Sequence, residues 1–149
     1  MATRGAIGIK HGLRIKAIYV HWDSYVEHVG LCLHTYYQDS IKVNKLISMG
    51  DMSGIGADIG AEHDFGARAE YLPDGCAREC TFYSRDRGED APFKSFGSDI
   101  VESAEESFVE HYKGCGSEYF YLYDHGVWYV KDHRKEFVPL HEALAKVAA

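Results

Sequence analysis

The chain has 149 residues, of which 46% are hydrophobic and 26% charged, as expected for one ordinary globular domain spanning residues 1–149. Its net charge of −7 is uneven: residues 1–48 contain six Lys and Arg against three Asp and Glu, and residues 49–149 contain ten against twenty. An acidic chain is a poor general binder of nucleic acid, because neutralised phosphates supply most non-specific affinity. No apolar run approaches the roughly 20 residues of a membrane span.

The stretch from Arg14 to Tyr37 changes its hydrophobic period at Ser24. Before Ser24 the apolar residues alternate as in a strand, which would pair with a first strand from Thr3 to Ile9. After Ser24 they recur with the spacing of one helix face, and Ser24 with Glu27 has the spacing of a capping box. The alternation predicts that three residues share one side of the strand: Ile18, Val20 and Trp22.

A second helix is predicted to begin at a cap formed by Asp39 or Ser40 and to end at Gly50. Its core face would consist of Val43, Leu46 and Ile47. The stretch Asp51–Glu79 is rich in Gly, Asp and Ala and has no sustained period. Because compact domains rarely contain connections of this length, the stretch is interpreted as a functional or mobile loop.

The second half begins with a predicted strand, Cys80–Ser84, which leads into the charged turn Arg85–Asp90. A helix over Ile100–Lys113 follows, with Asp99 as its cap and three core residues, Val101, Phe108 and Tyr112. A last helix begins near Pro139 and would pack Leu140, Leu144 and Val147.

The strongest hairpin signal lies between these two helices, where two aromatic strands flank His125-Gly126. Both faces of the hairpin are apolar, which indicates that both are covered. The predicted order is β-β-α-α-loop-β-α-β-β-α. It indicates an α+β fold, with a mainly antiparallel sheet of about five strands and about four helices.

Two polar segments follow predicted strands and are candidates for a ligand site. One contains His21, Trp22 and Asp23 beside the free N–H groups of a helix; the other contains Arg85, Asp86 and Arg87. Two guanidiniums one residue apart can bind a phosphate or carboxylate. Asp86 can equally saturate both arginines in a structural ion-pair network. We predict that the two segments lie within about 15 Å of each other, so that long side chains from both could share a ligand.

Metal and cofactor chemistry have little support in the sequence. His21, Asp23 and His28 are the nearest approach to a metal cluster, but their spacing matches no ligand motif. Neither a metal nor a cofactor is therefore predicted. The four scattered cysteines indicate reduced thiols, which are typical of a cytosolic protein.

Three segments carry a resemblance to a known family. They are residues 18–25 (IYVHWDSY), 46–53 (LISMGDMS) and 83–89 (YSRDRGE), together with Gly30. The chain resembles a family of small, poorly characterised proteins found in phage and prophage genomes. It departs from that family at Ser24, where Gly is expected, and at Ser84, where His is expected. The resemblance implies a virus-encoded accessory protein that acts in the cytoplasm of a bacterial host, and it implies no particular activity.

Three functions remain open at this point. The first is a non-catalytic inhibitor of a host defence system or enzyme, which docks on a host protein with a basic surface or sequesters a small anionic nucleotide. Docking would use an acidic row, namely Glu102, Glu105, Glu106 and Glu110. The second is a small enzyme acting on a phosphate-bearing substrate, of nuclease or phosphoesterase type, with His21 as general base and Arg85 and Arg87 as a clamp. The third is a structural or assembly protein of the virion. An oligomer is compatible with all three.

Overall fold

The computed structural model describes residues 2–97 and 103–148. Two long hairpins form the centre of the sheet: β1 (Arg4–His11) with β2 (Arg14–Val20), and β8 (Ser117–Asp124) with β9 (Val127–Asp132). They are joined by a parallel pairing of β1 with β8. The predicted turn at His125-Gly126 is confirmed, because both residues have positive φ (49° and 80°), as a tight two-residue hairpin turn requires.

The shorter strands extend this sheet at both edges. β3 (Met52–Gly54) pairs with β2, and β6 (Thr81–Phe82) pairs with β3. β7 (Lys94–Phe96) also pairs with β2, and β10 (Val138–Pro139) pairs with β9. The order among the described residues is β10-β9-β8-β1-β2-β3-β6, with β7 beside β2. The α+β class with a mainly antiparallel sheet is confirmed, although the sheet has eight strands rather than five.

Helices cover both faces of the sheet. One face is covered by a π-helical turn (Val26–Gly30) that continues into α1 (Leu31–Tyr36), by α2 (Ser40–Ser48) and by α5 (Leu140–Ala148). The opposite face is covered by α4 (Ala104–Gly114). Covering on both faces explains why the β8–β9 hairpin is apolar on both sides. Tyr121, Tyr123 and Trp128 lie on the first face, and Phe120 and Leu122 lie on the second.

Several predicted helix details are confirmed. Asp39 caps α2 by accepting a hydrogen bond from the backbone N–H of Ile41, and Gly50 has φ 87° just beyond the end of the helix. Phe108 and Tyr112 are buried on α4, and Leu140 is buried on α5. Val147 is not buried in the core as predicted, since it is 48% exposed.

The predicted capping box at Ser24 and Glu27 is wrong. The helix begins at Val26, and its cap residue Tyr25 makes no side-chain capping hydrogen bond. Ser24 is instead fully buried beside Gly5, where a Cβ would lie 2.6 Å from the Ser24 Cβ. The backbone N–H of Ser24 donates to the Thr3 carbonyl (2.9 Å). The connection between strand and helix is therefore packed down onto β1, and the Ser24 side chain cannot reach the helix N-terminus.

The stretch Asp51–Glu79 is a loop only in its middle, residues 59–76, and has strands at both ends. It contains β3, β4 (Gly56–Asp58) and β5 (Ala77–Glu79), and β4 and β5 form a small parallel sheet of their own. Ile55 and Ile59 are buried in the main core. Close approach of the two short strands explains the glycine at 56, because a Cβ there would lie 2.2 Å from the backbone of Glu79.

Two other element boundaries differ from the prediction. The predicted strand Cys80–Ser84 ends at Phe82, and the supposed charged turn is a short helix, α3 (Tyr83–Arg87), which ends at Gly88 with φ 72°. The helix predicted from Ile100 is described from Ala104, with Ser103 as the cap that accepts from the Glu106 N–H. Asp99, Val101 and Glu102 lie outside the described residues.

Candidate functional site

The three segments that carry the family resemblance meet at one end of the sheet. The backbone N–H of His21 donates to the Met52 carbonyl (3.2 Å), and that of Trp22 donates to the Ser53 carbonyl (3.0 Å). Met52 in turn pairs with Phe82, directly before α3. The end of β2, the whole of β3 and the start of α3 are therefore neighbours. We call this region the His21 end of the sheet.

A hydroxyl–imidazole pair lies at this end. The Tyr19 Oη is 2.8 Å from Nδ1 of His21, and the two residues are on the same side of the strand because they are two positions apart. Partial burial, together with the nearby positive charge of Arg4, lowers the pKa of His21. The imidazole is therefore neutral at pH 7, and one ring nitrogen can act as a hydrogen-bond acceptor.

Asp51 adds a carboxylate to the same region. Its Oδ1 accepts the backbone N–H of Tyr19 (2.9 Å). Burial raises the pKa of Asp51, an effect that the Tyr19 N–H partly opposes. Neither Tyr19 nor Asp51 was among the predicted site residues. The two-residue spacing of Tyr19 and His21 could have identified the first, whereas Asp51 is brought in only by the pairing of β3 with β2.

Trp22 and Tyr25 project from the connection that follows β2. Trp22 is 47% exposed and Tyr25 is 36% exposed, whereas Ile18 and Val20 are fully buried, so Trp22 does not continue the buried side that these two residues form. Asp23, the next residue, adopts a positive φ of 53°. The Trp22 ring meets that of His21 edge-on, with centroids 4.7 Å apart. We call Trp22, Tyr25 and their acidic neighbours Asp23 and Glu27 the Trp22 surface.

The backbone under the Trp22 surface is tied to two strands. Trp22 is hydrogen-bonded to β3, and Ser24 is hydrogen-bonded to Thr3 just before β1. The two exposed rings are therefore presented by a short segment fixed at both ends, and a partner would not have to order this backbone on binding.

Arg85 and Asp86 form a buried ion pair. Arg85 uses all five of its N–H groups: two bond to the Asp86 carboxylate, and three bond to the carbonyl oxygens of Ile59, Gly60 and Cys80. The Asp86 side chain has no exposed surface, and it also accepts the backbone N–H groups of Phe82 and His63. We call this arrangement the Arg85 clasp. Of the two interpretations of this segment, it favours the structural network, because no N–H of Arg85 remains for a ligand.

Arg87 is oriented differently from Arg85. Its guanidinium pairs with Glu89 (2.7 Å) and lies over the rings of Phe65 and Tyr83, at 4.5 and 5.2 Å from the centroids. The side chain is 48% exposed. The described hydrogen bonds and ion pairs include none that joins His21 or Asp23 to Arg85 or Arg87. A shared ligand between the two segments therefore remains a prediction.

The acidic row is only partly available as a charged surface. Glu105 forms an ion pair with Lys10 (2.8 Å) that ties α4 to β1. Glu106 and Glu110 are exposed on α4, and Glu102 lies outside the described residues. The described part of this row therefore offers two unpaired carboxylates rather than a continuous acidic strip.

Comparison of the chain with protein-family models, with curated proteins and with solved structures finds no match. Within residues 2–97 and 103–148, no three His, Cys, Asp or Glu side chains are grouped as metal ligands. No helix in that part of the chain is long and apolar enough to cross a membrane. The proposal for function therefore rests on the geometry of the His21 end of the sheet.

Proposed function

We propose that this protein is a virus-encoded accessory protein that inhibits a bacterial defence system or another host enzyme by binding it, without turnover, in the host cytoplasm. The observation that carries the proposal is the Trp22 surface. Two exposed aromatic rings stand on a backbone segment that is hydrogen-bonded at both ends. Trp and Tyr are the residues that most often dominate the free energy of protein–protein binding.

The charges beside these rings support a basic partner. Asp23 and Glu27 are close enough to Tyr25 to raise the pKa of its hydroxyl, in addition to the effect of desolvation. A host protein whose basic residues surround an apolar pocket would complement this arrangement, with the indole in the pocket and the carboxylates at the rim. The partner class is therefore a protein with a basic surface.

Docking on a protein has more support than sequestering a nucleotide. Nucleotide capture by the Arg85 segment needs guanidinium N–H groups that face solvent, and the Arg85 clasp uses all of them within the chain. Arg87 alone keeps an exposed guanidinium face. A single exposed arginine that is already paired with Glu89 would bind a multiply charged ligand only weakly.

The test is affinity capture from infected host cells with tagged protein, with mass spectrometry of both proteins and small nucleotides. The wild type should retain a host protein that the Trp22→Ala variant loses. Tyr71→Ala is the matched control, because Tyr71 is also an exposed aromatic residue (63%) but lies outside the Trp22 surface. Equal capture by the wild type and by Trp22→Ala would contradict the proposal, as would recovery of the protein from purified virions as a stoichiometric component.

A second function is favoured by one observation, the contact between Tyr19 and His21. A neutral imidazole oriented by a hydroxyl is a plausible general base for a small enzyme acting on a phosphate-bearing substrate. Incubation with a panel of nucleotides and oligonucleotides distinguishes the two functions. Product formed in molar excess over the protein, and lost in His21→Gln, would establish the enzyme. Ligands recovered unchanged support the binder.

A further inference from the structure

A second concave site lies away from the His21 end of the sheet, under the C-terminal helix. It is a cavity of about 340 Å³ between α5, the β9–β10 edge and the first helical turn after β2. We call it the α5 cavity. Its walls are mainly apolar: Val26, Tyr119, Val130, Val138, Ala143 and Val147. This volume and lining are typical of a site for a small organic ligand.

The charged side chains that line the α5 cavity are mostly acidic. Four carboxylates and two ammonium groups belong to the lining: Glu27, Asp132, Glu136 and Glu142, with Lys135 and Lys146. Asp132 interacts with His133 and Arg134, but the other three carboxylates form no ion pair among the described residues. The charged part of the lining therefore favours a positive ligand, in keeping with the net charge of the chain.

Tyr119 lies where the apolar wall meets these charges. Desolvation raises the pKa of its hydroxyl, and the carboxylates of Asp132 and Glu27 raise it further. Tyr119 is also directly opposite Asp132 in the β8–β9 pairing, so the two side chains lie on the same face of the sheet. An aromatic ring beside two carboxylates attracts an organic cation through the face of the ring and through direct charge attraction.

We propose that the α5 cavity binds a small amphipathic organic cation. Its apolar body would contact the valine side chains, and its positive group would sit beside Tyr119, Glu27 and Asp132. A neutral ligand of the same shape would gain only the burial of apolar surface. An anionic ligand would gain that burial but be repelled by the carboxylates of the lining. The α5 cavity shares Glu27 with the Trp22 surface. Its test uses the purified chain without a protein partner, so the result does not depend on the proposed docking.

Three probes that share a six-carbon chain and differ in the charge of the head group separate these contributions: hexyltrimethylammonium, hexanol and hexanoate. Binding to the full-length protein is measured by calorimetry at low salt, and the site is located by NMR chemical-shift changes. We expect the ammonium probe to bind about tenfold more tightly than the alcohol, a difference of about 1.4 kcal/mol. Hexanoate should bind most weakly. Equal affinities for the three, or shift changes away from the α5 cavity, would overturn the proposal.

Two variants test the site itself. Ala143→Phe fills the cavity and should abolish binding of all three probes. The double variant Glu27→Gln/Asp132→Asn keeps the shape of the cavity and removes two negative charges. It should weaken binding of the ammonium probe alone and bring its affinity to that of hexanol. Glu62→Gln, an exposed carboxylate that does not line the cavity, is the matched control and should change nothing. An undiminished preference for the cation in the double variant would also overturn the proposal, even if Ala143→Phe failed to fold.

Discussion

Removing the Arg85 side chain should destabilise the protein strongly. In Arg85→Ala, the Asp86 carboxylate would stay buried, with only the Phe82 and His63 amides as partners. The carbonyl oxygens of Ile59, Gly60 and Cys80 would lose their donor. Breaking one side of a buried ion pair typically costs about 3–5 kcal/mol. Because two amide donors remain, we expect the lower end, about 3 kcal/mol.

Urea denaturation followed by circular dichroism measures this effect. With a slope of about 2 kcal/mol per molar urea, a loss of 3 kcal/mol lowers the midpoint by about 1.5 M. Arg87→Ala is the matched control, since Arg87 belongs to an exposed pair whose loss should barely move the midpoint. The double variant Arg85→Ala/Asp86→Ala should cost less than the sum of the single variants, because the two residues interact directly. An Arg85→Ala midpoint within about 0.3 M of the wild type would refute the structural role of the clasp.

Three further outcomes are expected. Burial lowers the pKa of His28 below its usual 6.5, so as the pH falls the unfolded state binds more protons than the folded state. The free energy of unfolding should therefore be highest above pH 6.5 and decrease below it. His28→Gln should flatten that decrease. Hydrogen exchange should be slow at residues 52–58, which form strands, and fast at residues 61–70; uniform fast exchange across both would contradict the strand pairing. If the partner also contacts α4, reversing the charge of Glu106 and Glu110 should slow association and weaken its salt dependence, which stopped-flow mixing at several ionic strengths measures.

The elements that could be predicted from the sequence are those whose partners are close along the chain. Both long hairpins consist of strands of six to eight residues joined by a short turn, and the turn at His125-Gly126 fixes the register of the second. The α2 cap at Asp39 and the glycine at 50 are likewise local signals. Their physical causes act within a few residues, so the sequence alone contains them.

The elements that could not be predicted depend on contacts between distant parts of the chain. β3 and β4 have three residues each, too few to show a period, and they exist because β2 and β5 provide their hydrogen-bond partners. Ser24 looked like a cap because its burial against Gly5 cannot be seen locally.

The candidate site also combines features with local causes and features that depend on distant parts of the chain. His21 and Trp22 could be placed at a strand end, but the alternation that groups Trp22 with Ile18 and Val20 does not reveal that the indole is exposed while the other two side chains are buried. The sequence of the Arg85 segment allowed both an anion site and an ion-pair network. The carbonyl groups that favour the network come partly from residues 25 and 26 positions earlier in the chain. No local pattern could have revealed them.

The central claim is binding through the Trp22 surface without turnover, and titration of the captured host protein with the purified chain tests it most directly. A central aromatic residue typically contributes about 2 kcal/mol, so Trp22→Ala should raise the dissociation constant about thirtyfold, with Tyr71→Ala within about twofold of the wild type. The partner should be recovered chemically unchanged after release. Unaltered affinity in Trp22→Ala, or partner converted in molar excess over the protein, would contradict the account.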